Sequence, residues 1–265
     1  MKKLIKNILW RIYPKENGLN RITILSGPAT GVKMLLDLRL GGSYFLGIYD
    51  KWIFDRVKLE TILKPGMVCW DCGAFYGYYS AVFRKLVGET GFVESFEAST
   101  QNYKALSHLA QVNNWNNLRT HHLAIAQENS EIEFVNNFGA ISGPFGNKVY
   151  SGKEVEYITV KSYGVDELIE KLGVRTPDLI KFDLETAEIF ALMNGHKLFT
   201  QKRPVIMLEL HGQKAMETAC AFIKKYNYKC KDVKTLNQAD AVEYHSGHEL
   251  CDAMQSVPNM LLLYP

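Results

Sequence analysis

The feature that most constrains the fold of this chain is an alternation of short apolar runs with amphipathic segments, which begins after Lys64-Pro65-Gly66. The apolar runs have the length and the flanking residues of buried β-strands. The segments between them place apolar residues at i, i+3 and i+4, which is typical of helices packed on a core. Such alternation with short connections predicts βαβ units and a mostly parallel α/β sheet with helices on both faces.

The pattern also predicts where most elements begin and end. The expected strands are Met67–Asp71, Gly91–Glu97, Leu118–Ala126, Glu131–Val135, Glu154–Val160, Leu179–Asp183, Val205–Leu210 and Met260–Leu263. The expected helices are Tyr78–Val87, Thr100–Val112, Val165–Leu172, Ala187–Leu198 and Gln213–Tyr226. Because ligands of parallel sheets bind beyond the carboxyl ends of the strands, we expect the loops that follow these strands to converge on one site.

Residues 1–63 form a leader that lacks this alternation, and we assign residues 64–265 to the main domain. Ser26-Gly27-Pro28 and Gly41-Gly42 divide the leader into short apolar pieces, which favours a small irregular or β-rich unit. Its first fifteen residues contain five basic side chains and no acidic one. We expect a short amphipathic helix packed on the body there, with weak peripheral contact to an anionic membrane as the alternative.

Composition narrows the class of partner. The 31 Lys and Arg against 28 Asp and Glu give a net charge of +3, which argues against a protein built to hold nucleic acid. The five cysteines suggest no disulfide framework and favour a reducing compartment. No apolar run reaches the roughly 18–20 residues of a membrane span. We therefore expect a cytoplasmic protein with a small-molecule or glycan partner, and the sequence does not define its oligomeric state.

Two strand ends carry the pattern of a nucleoside site. The first reads Asp71-Cys72-Gly73-Ala74-Phe75-Tyr76-Gly77, a D-x-G-x-x-x-G spacing that differs from the dinucleotide fingerprint. Its glycines permit a tight turn into a helix whose free N–H groups face a ligand, although packing alone is another reason for them. Glu97 closes the second strand, where a carboxylate is able to accept both hydroxyls of a ribose. The alternative is that Glu97 is a solvated residue with no ligand. Together these ends predict a nucleoside ligand with a cationic end.

Acidic residues and a histidine follow two later strands. Asp183 ends one strand, and Glu185 and Glu188 lie in the first turn of the next helix, where the helix dipole alone favours acids. Glu209 and His211 alternate along the next strand and therefore face the same side. Such groups are able to act as a general base or as metal ligands. The simpler interpretation is a hydrogen-bonded pair that holds the loop.

These runs resemble four motifs of FkbM-type methyltransferases, in the same order and at similar spacing. The run from Trp70 to Ser80 resembles D-x-G-A-x-x-G-x-Y-S/T, and Ser95-Phe96-Glu97 resembles A-F-E-P. The sequence IKFDLETAE at Ile180–Glu188 resembles I-K-I-D-V-E-G-A-E, and RP with LELH, ending at His211, resembles R-P…x-E-x-H. The match covers about Lys64 to His211. A weaker likeness of Gly47-Ile48-Tyr49-Asp50 to G-x-Y-E extends it into the leader.

The resemblance implies a Rossmann-like class I methyltransferase fold with a seven-stranded sheet, S-adenosylmethionine as the cofactor, and methylation of a hydroxyl on a sugar, glycan or natural product. The cofactor contacts that it implies are Asp71, Cys72, Gly73, Ala74, Phe75, Tyr76, Gly77, Tyr78, Glu97, Ala98, Ala124 and Asp183. The catalytic residues that it implies, on the acceptor side, are Asp183, Glu185, Glu209 and His211. Asp183 or His211 is the expected base, and no metal ligand is assigned.

Two positions depart from the motifs. Ala98 replaces a proline, so the shape of the turn after Glu97 does not follow from the motif. Thr186 replaces a glycine, and its larger side chain narrows the cleft or changes the substrate. The third strand lacks a terminal Asp, so we expect backbone and apolar contacts to adenine near Ala124–Gln127. The Gly-rich segment Asn136–Gly152 is expected to be either a lid over the acceptor or a plain surface loop.

Three other functions compete with this interpretation. A metal-assisted O-methyltransferase would use Asp183, Glu209 and His211 as ligands. A non-catalytic nucleoside-binding or partner-binding module would use the fold without the chemistry, although Asp71 and Glu97 would then have no purpose. A nucleic-acid methyltransferase would prefer a clustered basic face, and the only local basic cluster lies in the leader.

Overall fold

A computed structural model of the chain describes residues 7–8, 10–16, 18–39, 41–126, 130–136, 157–236, 243–244, 247, 249–250 and 260–265. The strands are β1 Lys15–Glu16, β2 Leu19–Thr23, β3 Lys33–Leu36, β4 Val68–Cys72, β5 Phe92–Glu97, β6 Leu118–His122, β7 Ala124–Ile125, β8 Ser130–Val135, β9 Tyr157–Tyr163, β10 Leu179–Phe182, β11 Val205–Glu209, β12 Lys229–Asp232, β13 Glu243–Tyr244 and β14 Met260–Tyr264. The helices are α1 Gly42–Leu46, α2 Lys51–Val57, α3 Leu59–Ile62, α4 Tyr78–Val87, α5 Thr100–Leu106, α6 Leu109–Val112, α7 Val165–Glu170, α8 Glu188–Met193, α9 His196–Gln201 and α10 Gln213–Tyr226.

The central sheet has the strand order β13-β12-β14-β11-β10-β4-β5-β6. The strands from β11 to β6 in this order run parallel, whereas β14 is antiparallel to both β11 and β12. Trp70, Ile180 and Ile206 are fully buried in neighbouring strands, because both faces of the sheet are covered. This is the predicted α/β fold. The two-residue β13 makes the sheet one strand wider than the seven expected.

One predicted helix, Thr100–Val112, is divided into α5 and α6 at Ser107 and His108. Regular helix would use the carbonyl of Lys104 for the N–H of residue 108. Instead, the Ser107 hydroxyl donates to that carbonyl at 3.1 Å, and His108 Nδ1 lies 2.6 Å from it. These side chains compete with the backbone for one acceptor, and the helix is interrupted there.

A second predicted helix, Ala187–Leu198, is divided into α8 and α9. Gly195 lies between them, and a Cβ atom at this position would be 2.3 Å from the ring of Phe199. Asn194 leaves the helix and donates its side-chain amide to the carbonyl of Ala126 at 3.0 Å. The close approach of Phe199 and this long-range bond therefore end the helix. The predicted bounds of α4 and α10 are confirmed.

The predicted strand Leu118–Ala126 is wrong as a single element. It is divided at Leu123 into β6, which pairs with β5, and β7, which pairs with β9 in a second sheet of order β7-β9-β8. The short strands β12 and β13 were not predicted from the sequence. Nearly all of the Gly-rich segment Asn136–Gly152 lies outside the described residues.

The leader contains an antiparallel sheet, β1-β2-β3, followed by the three short helices α1 to α3. Its buried side chains Met34, Phe45 and Ile53 belong to the same apolar cluster as Tyr78 and Phe83 of α4. The leader and the central sheet therefore share one hydrophobic core, and the leader is packed where it is able to reach the carboxyl ends of the strands.

Three cysteines, Cys69, Cys72 and Cys230, are free and buried, whereas Cys220 is disulfide-bonded. The disulfide was not expected from the sequence. Cys251 lies outside the described residues. Among the helices that the structure describes, none is long and apolar enough to cross a membrane.

Candidate functional site

A cavity of about 850 Å³, which includes the open space at its mouth, lies at the carboxyl ends of β4, β5, β7 and β10. The loops that follow these strands converge there, which is the position expected for a ligand of a parallel sheet. The leader supplies Tyr44 and Tyr49 to its wall. Two carboxylates, Glu97 at the end of β5 and Asp183 after β10, line the same cavity.

Glu97 is a buried carboxylate that the backbone holds in place. Its Oε2 atom accepts the N–H of Phe75 at 2.8 Å, and Oε1 accepts the N–H of Ser99 at 2.8 Å. Burial raises the pKa of Glu97 to about 7, although these two N–H donors and the side chain of Asn102 oppose the shift. The carboxylate is therefore fixed in direction and about half ionised at neutral pH.

Asn102 also lines the cavity, and it was not predicted as a site residue. Ser99 caps helix α5, and its hydroxyl oxygen accepts the N–H of Asn102 at 3.3 Å. The Oδ1 atom of Asn102 is buried and has no hydrogen-bond partner among the described residues. A buried acceptor without a partner needs an explanation, and a donor of a bound nucleoside supplies one. The capping pattern was the only sequence signal that could have placed Asn102 here.

The wall between Glu97 and the second sheet is apolar. Leu123, Ala124, Ile125 and Phe134 line it, together with Ala126. The described residues of this wall include no acid. A flat heterocycle would therefore be held there by packing and by backbone groups, and contact with adenine near Ala124 stays a prediction.

The segment from Asp71 to Tyr78 reaches the cavity only in part. Gly73 and Phe75 line it, whereas Cys72, Tyr76 and Tyr78 are buried in the core, with Ala74 almost as buried. Asp71 is fully buried, and its Oδ2 atom accepts the Ser80 hydroxyl at 2.5 Å. Burial raises the pKa of Asp71, and the charge of Lys181 opposes that shift. Contact between Asp71 and a cofactor therefore remains a prediction.

The two glycines of this segment are required by packing. Gly73 has a φ angle of 82°, and a Cβ atom there would be 1.8 Å from the carbonyl oxygen of Asp183. A Cβ atom on Gly77 would be 2.8 Å from Leu106 and 2.7 Å from Leu109. Side chains at either position would thus displace neighbouring parts of the site. Gly73 also contributes to the cavity wall.

Lys181 is a buried cation at the centre of the site. Its side chain is 2% exposed, and its Nζ atom lies 2.8 Å from Asp183 Oδ2 and 4.7 Å from the ring centre of Tyr79. The register of β10 and β4 places it beside Asp71. Burial alone would lower the pKa of Lys181, but the carboxylates of Asp183, Asp71 and Glu209 outweigh it and raise the pKa. The ammonium therefore remains charged and balances these acids.

His211 lies among three acids, of which Asp183 and Glu185 line the cavity. Its Nδ1 atom is 3.2 Å from Glu188 Oε1, and its Nε2 atom is 3.6 Å from Glu185 Oε2 and 3.8 Å from Asp183 Oδ1. Burial alone would lower the pKa of His211, but the hydrogen bond to Glu188 and the charges of Glu185 and Asp183 raise it to about 9. With this pKa the ring is mostly an imidazolium at neutral pH, and an imidazolium accepts no proton.

Glu209, Asp183 and His211 form a potential cation site. Burial and the charge of Asp183 raise the pKa of Glu209 to about 7, although Lys181 and His211 oppose this. The three residues offer ligand atoms within 4.8 Å of one another. This donor set is also compatible with a divalent metal ion.

Leader residues contribute to the site as well. Tyr44 and Tyr49 stack with their ring centres 4.1 Å apart. Asp50 accepts the Tyr79 hydroxyl at 3.1 Å. Burial raises the pKa of Asp50, whereas that hydrogen bond and the charge of Lys181 oppose the shift. The element that resembles G-x-Y-E therefore lies at the site, a role that its weak likeness did not define.

The departure from the motif at Thr186 places a strained residue beside the cavity. Thr186 has a φ angle of 86° and Glu185 one of 48°. Positive φ is rare for a β-branched residue, whereas the glycine of the motif adopts it readily. The Oγ1 atom of Thr186 is buried and has no hydrogen-bond partner among the described residues. Backbone strain of this kind amounts to about 1–3 kcal/mol and often occurs at functional sites.

Thr186→Gly is expected to stabilise the protein by about 1 kcal/mol, because relief of the strain exceeds the ~0.5–1 kcal/mol entropic disadvantage of glycine. Chemical denaturation measures the change in the free energy of unfolding. Thr186→Ala is the matched control, since it removes the hydroxyl but keeps the unfavourable φ. A Gly variant no more stable than the Ala variant would contradict the assignment of strain.

Lys181→Met is expected to lower the free energy of unfolding by about 3–5 kcal/mol, because it leaves buried carboxylates without a counter-ion. Lys202→Met is the matched control. Lys202 Nζ lies 2.6 Å from Asp178 Oδ1 at the surface, so its loss should change stability by only ~0–1 kcal/mol. Both variants are compared by urea unfolding, and similar small losses would show that Lys181 does not balance the acids.

Comparison with solved structures supports the fold. The FkbM methyltransferase from Methylobacillus flagellatus KT aligns with 99% of this chain at a TM-score of 0.50 and 11% identity, and the chain spans 59% of that protein's length. The precorrin-6y C5,15-methyltransferase from Geobacter metallireducens GS-15 gives a TM-score of 0.43 at 10% identity, over 82% of this chain and 87% of that one. Fibrillarin from Aeropyrum pernix, solved with S-adenosyl-L-methionine, gives 0.42 at 12% identity, over 77% and 68%. Only the first similarity is strong enough to support the class I methyltransferase fold.

A search of curated protein sequences finds no significant match to the chain. The sequence family described as the methyltransferase FkbM domain matches residues 71–230, which is well over half of the chain and contains the four motifs except the start of the first. The matched region includes the cavity residues from Gly73 to Glu185 and the cluster around His211. The chain therefore belongs to the FkbM methyltransferase domain family.

Proposed function

We propose that this chain transfers a methyl group from S-adenosylmethionine to a hydroxyl group of a sugar, a glycan or a hydroxylated natural product. Its family makes S-adenosylmethionine the cofactor. The observation that carries the rest of the proposal is that one cavity is lined both by the acceptors of Glu97 and Asn102 and by the carboxylates of Asp183 and Glu185.

The residues of the cavity fit the cofactor. Glu97 would hold the ribose hydroxyls, the unpartnered Asn102 Oδ1 would accept a donor nearby, and the apolar wall at Ala124 would pack on adenine. When bound, S-adenosylmethionine supplies a methyl group activated by a positively charged sulfonium. The acids of the cavity favour a cationic ligand electrostatically.

Asp183 is the proposed base for the acceptor hydroxyl. Lys181 holds its Oδ2 atom at 2.8 Å, while Oδ1 is 3.8 Å from His211 Nε2, which is too far for a direct hydrogen bond. Oδ1 is therefore the atom that would receive the proton of the hydroxyl group. The imidazolium of His211 and the ammonium of Lys181 keep the carboxylate oriented, which lowers the cost of aligning the reactants.

A metal-assisted O-methyltransferase is the second candidate, because Asp183, Glu209 and His211 converge within 4.8 Å. Lys181 already places a positive charge beside Asp183, and this favours the reaction without a metal. Activity in the presence of a strong chelator separates the two candidates. Loss of activity that added Mg²⁺ or Mn²⁺ restores would favour the metal-assisted reaction.

Asp183→Asn is expected to reduce methyl transfer by about 10²–10⁴-fold, the usual contribution of a general base, with little change in cofactor affinity. The assay incubates the protein and labelled S-adenosylmethionine with a panel of glycans and hydroxylated small molecules, and mass spectrometry identifies the methylated atom. Calorimetry with S-adenosylmethionine measures the affinity.

Asp178→Asn is the matched control, because Asp178 lies at the opposite end of β10, away from the cavity. Its Oδ2 atom accepts the N–H of Val68 at 2.8 Å. Near-normal turnover of the Asp183 variant would remove Asp183 from the base role. Absence of cofactor binding to the unmodified protein at millimolar concentration would refute the cofactor site. Binding of the cofactor without methylation of any hydroxyl in the panel would favour a non-catalytic module or another acceptor.

Cofactor affinity is expected to rise by about tenfold between pH 6 and pH 8, because only an ionised Glu97 accepts two ribose hydroxyls. With a pKa of about 7, Glu97 is mostly protonated at the lower pH and mostly ionised at the higher pH. Calorimetry with S-adenosylmethionine across this range measures the change. Glu97→Gln should bind more weakly and lose this component of the pH dependence. An equally steep rise in that variant would assign the titration to another group.

A further inference from the structure

Exposed apolar side chains are concentrated in the leader. Among the described residues, eight large apolar side chains are exposed, and five of them precede residue 50. These five are Ile8, Ile12, Leu25, Leu46 and Ile48, with exposed fractions between 47% and 67%. Single exposed apolar residues are ordinary, but a local concentration marks a surface that contacts something other than water.

Three of these residues form one rim, which we define as Leu25, Leu46 and Ile48. The N–H of Leu25 donates to the carbonyl of Phe45 at 3.0 Å, so the segments that carry the rim lie side by side. Gly47 brings their backbones together, since a Cβ atom there would be 1.7 Å from the carbonyl oxygen of Ser26. The rim is therefore held by rigid backbone packing.

The rim lies beside the cavity. The residues adjacent in sequence to Leu46 and Ile48 include Phe45 and Tyr49, and Tyr44 and Tyr49 line the cavity wall. The ring of Phe45 also packs against Tyr13 at 5.4 Å, which joins the N-terminal residues around Ile12 to the same part of the leader. One short segment therefore faces the cavity with its tyrosines and water with its aliphatic side chains.

Positive charge is concentrated in the leader, as the exposed apolar side chains are. Residues 1–63 contain eleven Lys and Arg but five Asp and Glu, so the leader carries a net charge of +6 and residues 64–265 carry −3. A segment that combines a net positive charge with exposed aliphatic side chains has the two features that bind peripheral proteins to anionic bilayers. A neutral membrane would be matched only by the aliphatic side chains, and an acidic protein only by the basic residues.

We propose that the rim and the basic leader dock on the surface of an anionic lipid bilayer. Docking inserts the aliphatic side chains at the level of the lipid headgroups and brings the mouth of the cavity close to the membrane. Docking itself does not depend on methyl transfer. The consequence that the acceptor is carried by a lipid rests on the proposed function.

The test is cosedimentation of the full chain with vesicles of phosphatidylcholine, with and without phosphatidylglycerol. We expect binding to the anionic vesicles at low salt, weaker binding at high salt, and little binding to the neutral ones. The triple variant Leu25→Ser, Leu46→Ser and Ile48→Ser should bind roughly tenfold or more weakly, because the apolar contribution is lost.

The matched control is Leu172→Ser with Met193→Ser, which removes exposed apolar side chains of the main domain and should bind like the unmodified protein. Calorimetry with S-adenosylmethionine checks that both variants are folded, since neither alters a cavity residue. Failure of the unmodified protein to bind anionic vesicles overturns docking and leaves the proposed function intact. Equal losses in both variants would also overturn it. Self-association that the triple variant abolishes would assign the rim to a second copy of the chain instead.

Discussion

The ion pair between Lys181 and Asp183, inside a sheet covered on both faces, is the interaction on which the site depends. A buried ammonium is stable only when carboxylates surround it, and buried carboxylates need such a cation in return. Asp71 comes from β4, Glu209 from β11 and Asp50 from the leader, and all three influence or are influenced by Lys181. One side chain thus connects the cofactor motif, the acceptor motif and the leader.

The leader has two structural tasks that follow from its shared core with the main domain. Toward the interior, it brings Tyr44 and Tyr49 to the wall of the cavity and Asp50 to the hydroxyl of Tyr79. Toward water, it presents basic and aliphatic side chains. If the proposed acceptor binds at this side, the leader is where members of a common fold are able to differ in substrate without altering the cofactor contacts.

The sequence was a good guide to the sheet and to the residues at its edge, because period-2 and period-3.6 patterns and strand-end acids are local signals. It was a poor guide where distant contacts decide the structure. The break at Gly195 depends on the ring of Phe199 and the carbonyl of Ala126, and the role of Lys181 depends on acids that only the fold brings together. A lysine in an apolar run carries no local signal of its partners.

Asn102 and Asp50 illustrate the same limit within the candidate site. Both belong to ordinary helix or turn patterns. Packing between elements far apart in the chain places Asn102 at the cavity and Asp50 at the hydroxyl of Tyr79. His211 was correctly expected near Asp183. The protonation state of His211 could not be predicted from the sequence, because the contacts with Glu188 and Glu185 that raise its pKa form only in the fold.

The contact between Gly73 and the carbonyl of Asp183 changes what the first glycine of the cofactor motif means in this chain. Such a glycine is usually understood as room for the ligand. Here it is also the spacer that fixes how far the proposed base stands from the cofactor segment. A shift of Asp183 that adapts the site to another acceptor would therefore also move the backbone of the cofactor motif, whereas changes in the leader would leave this contact untouched.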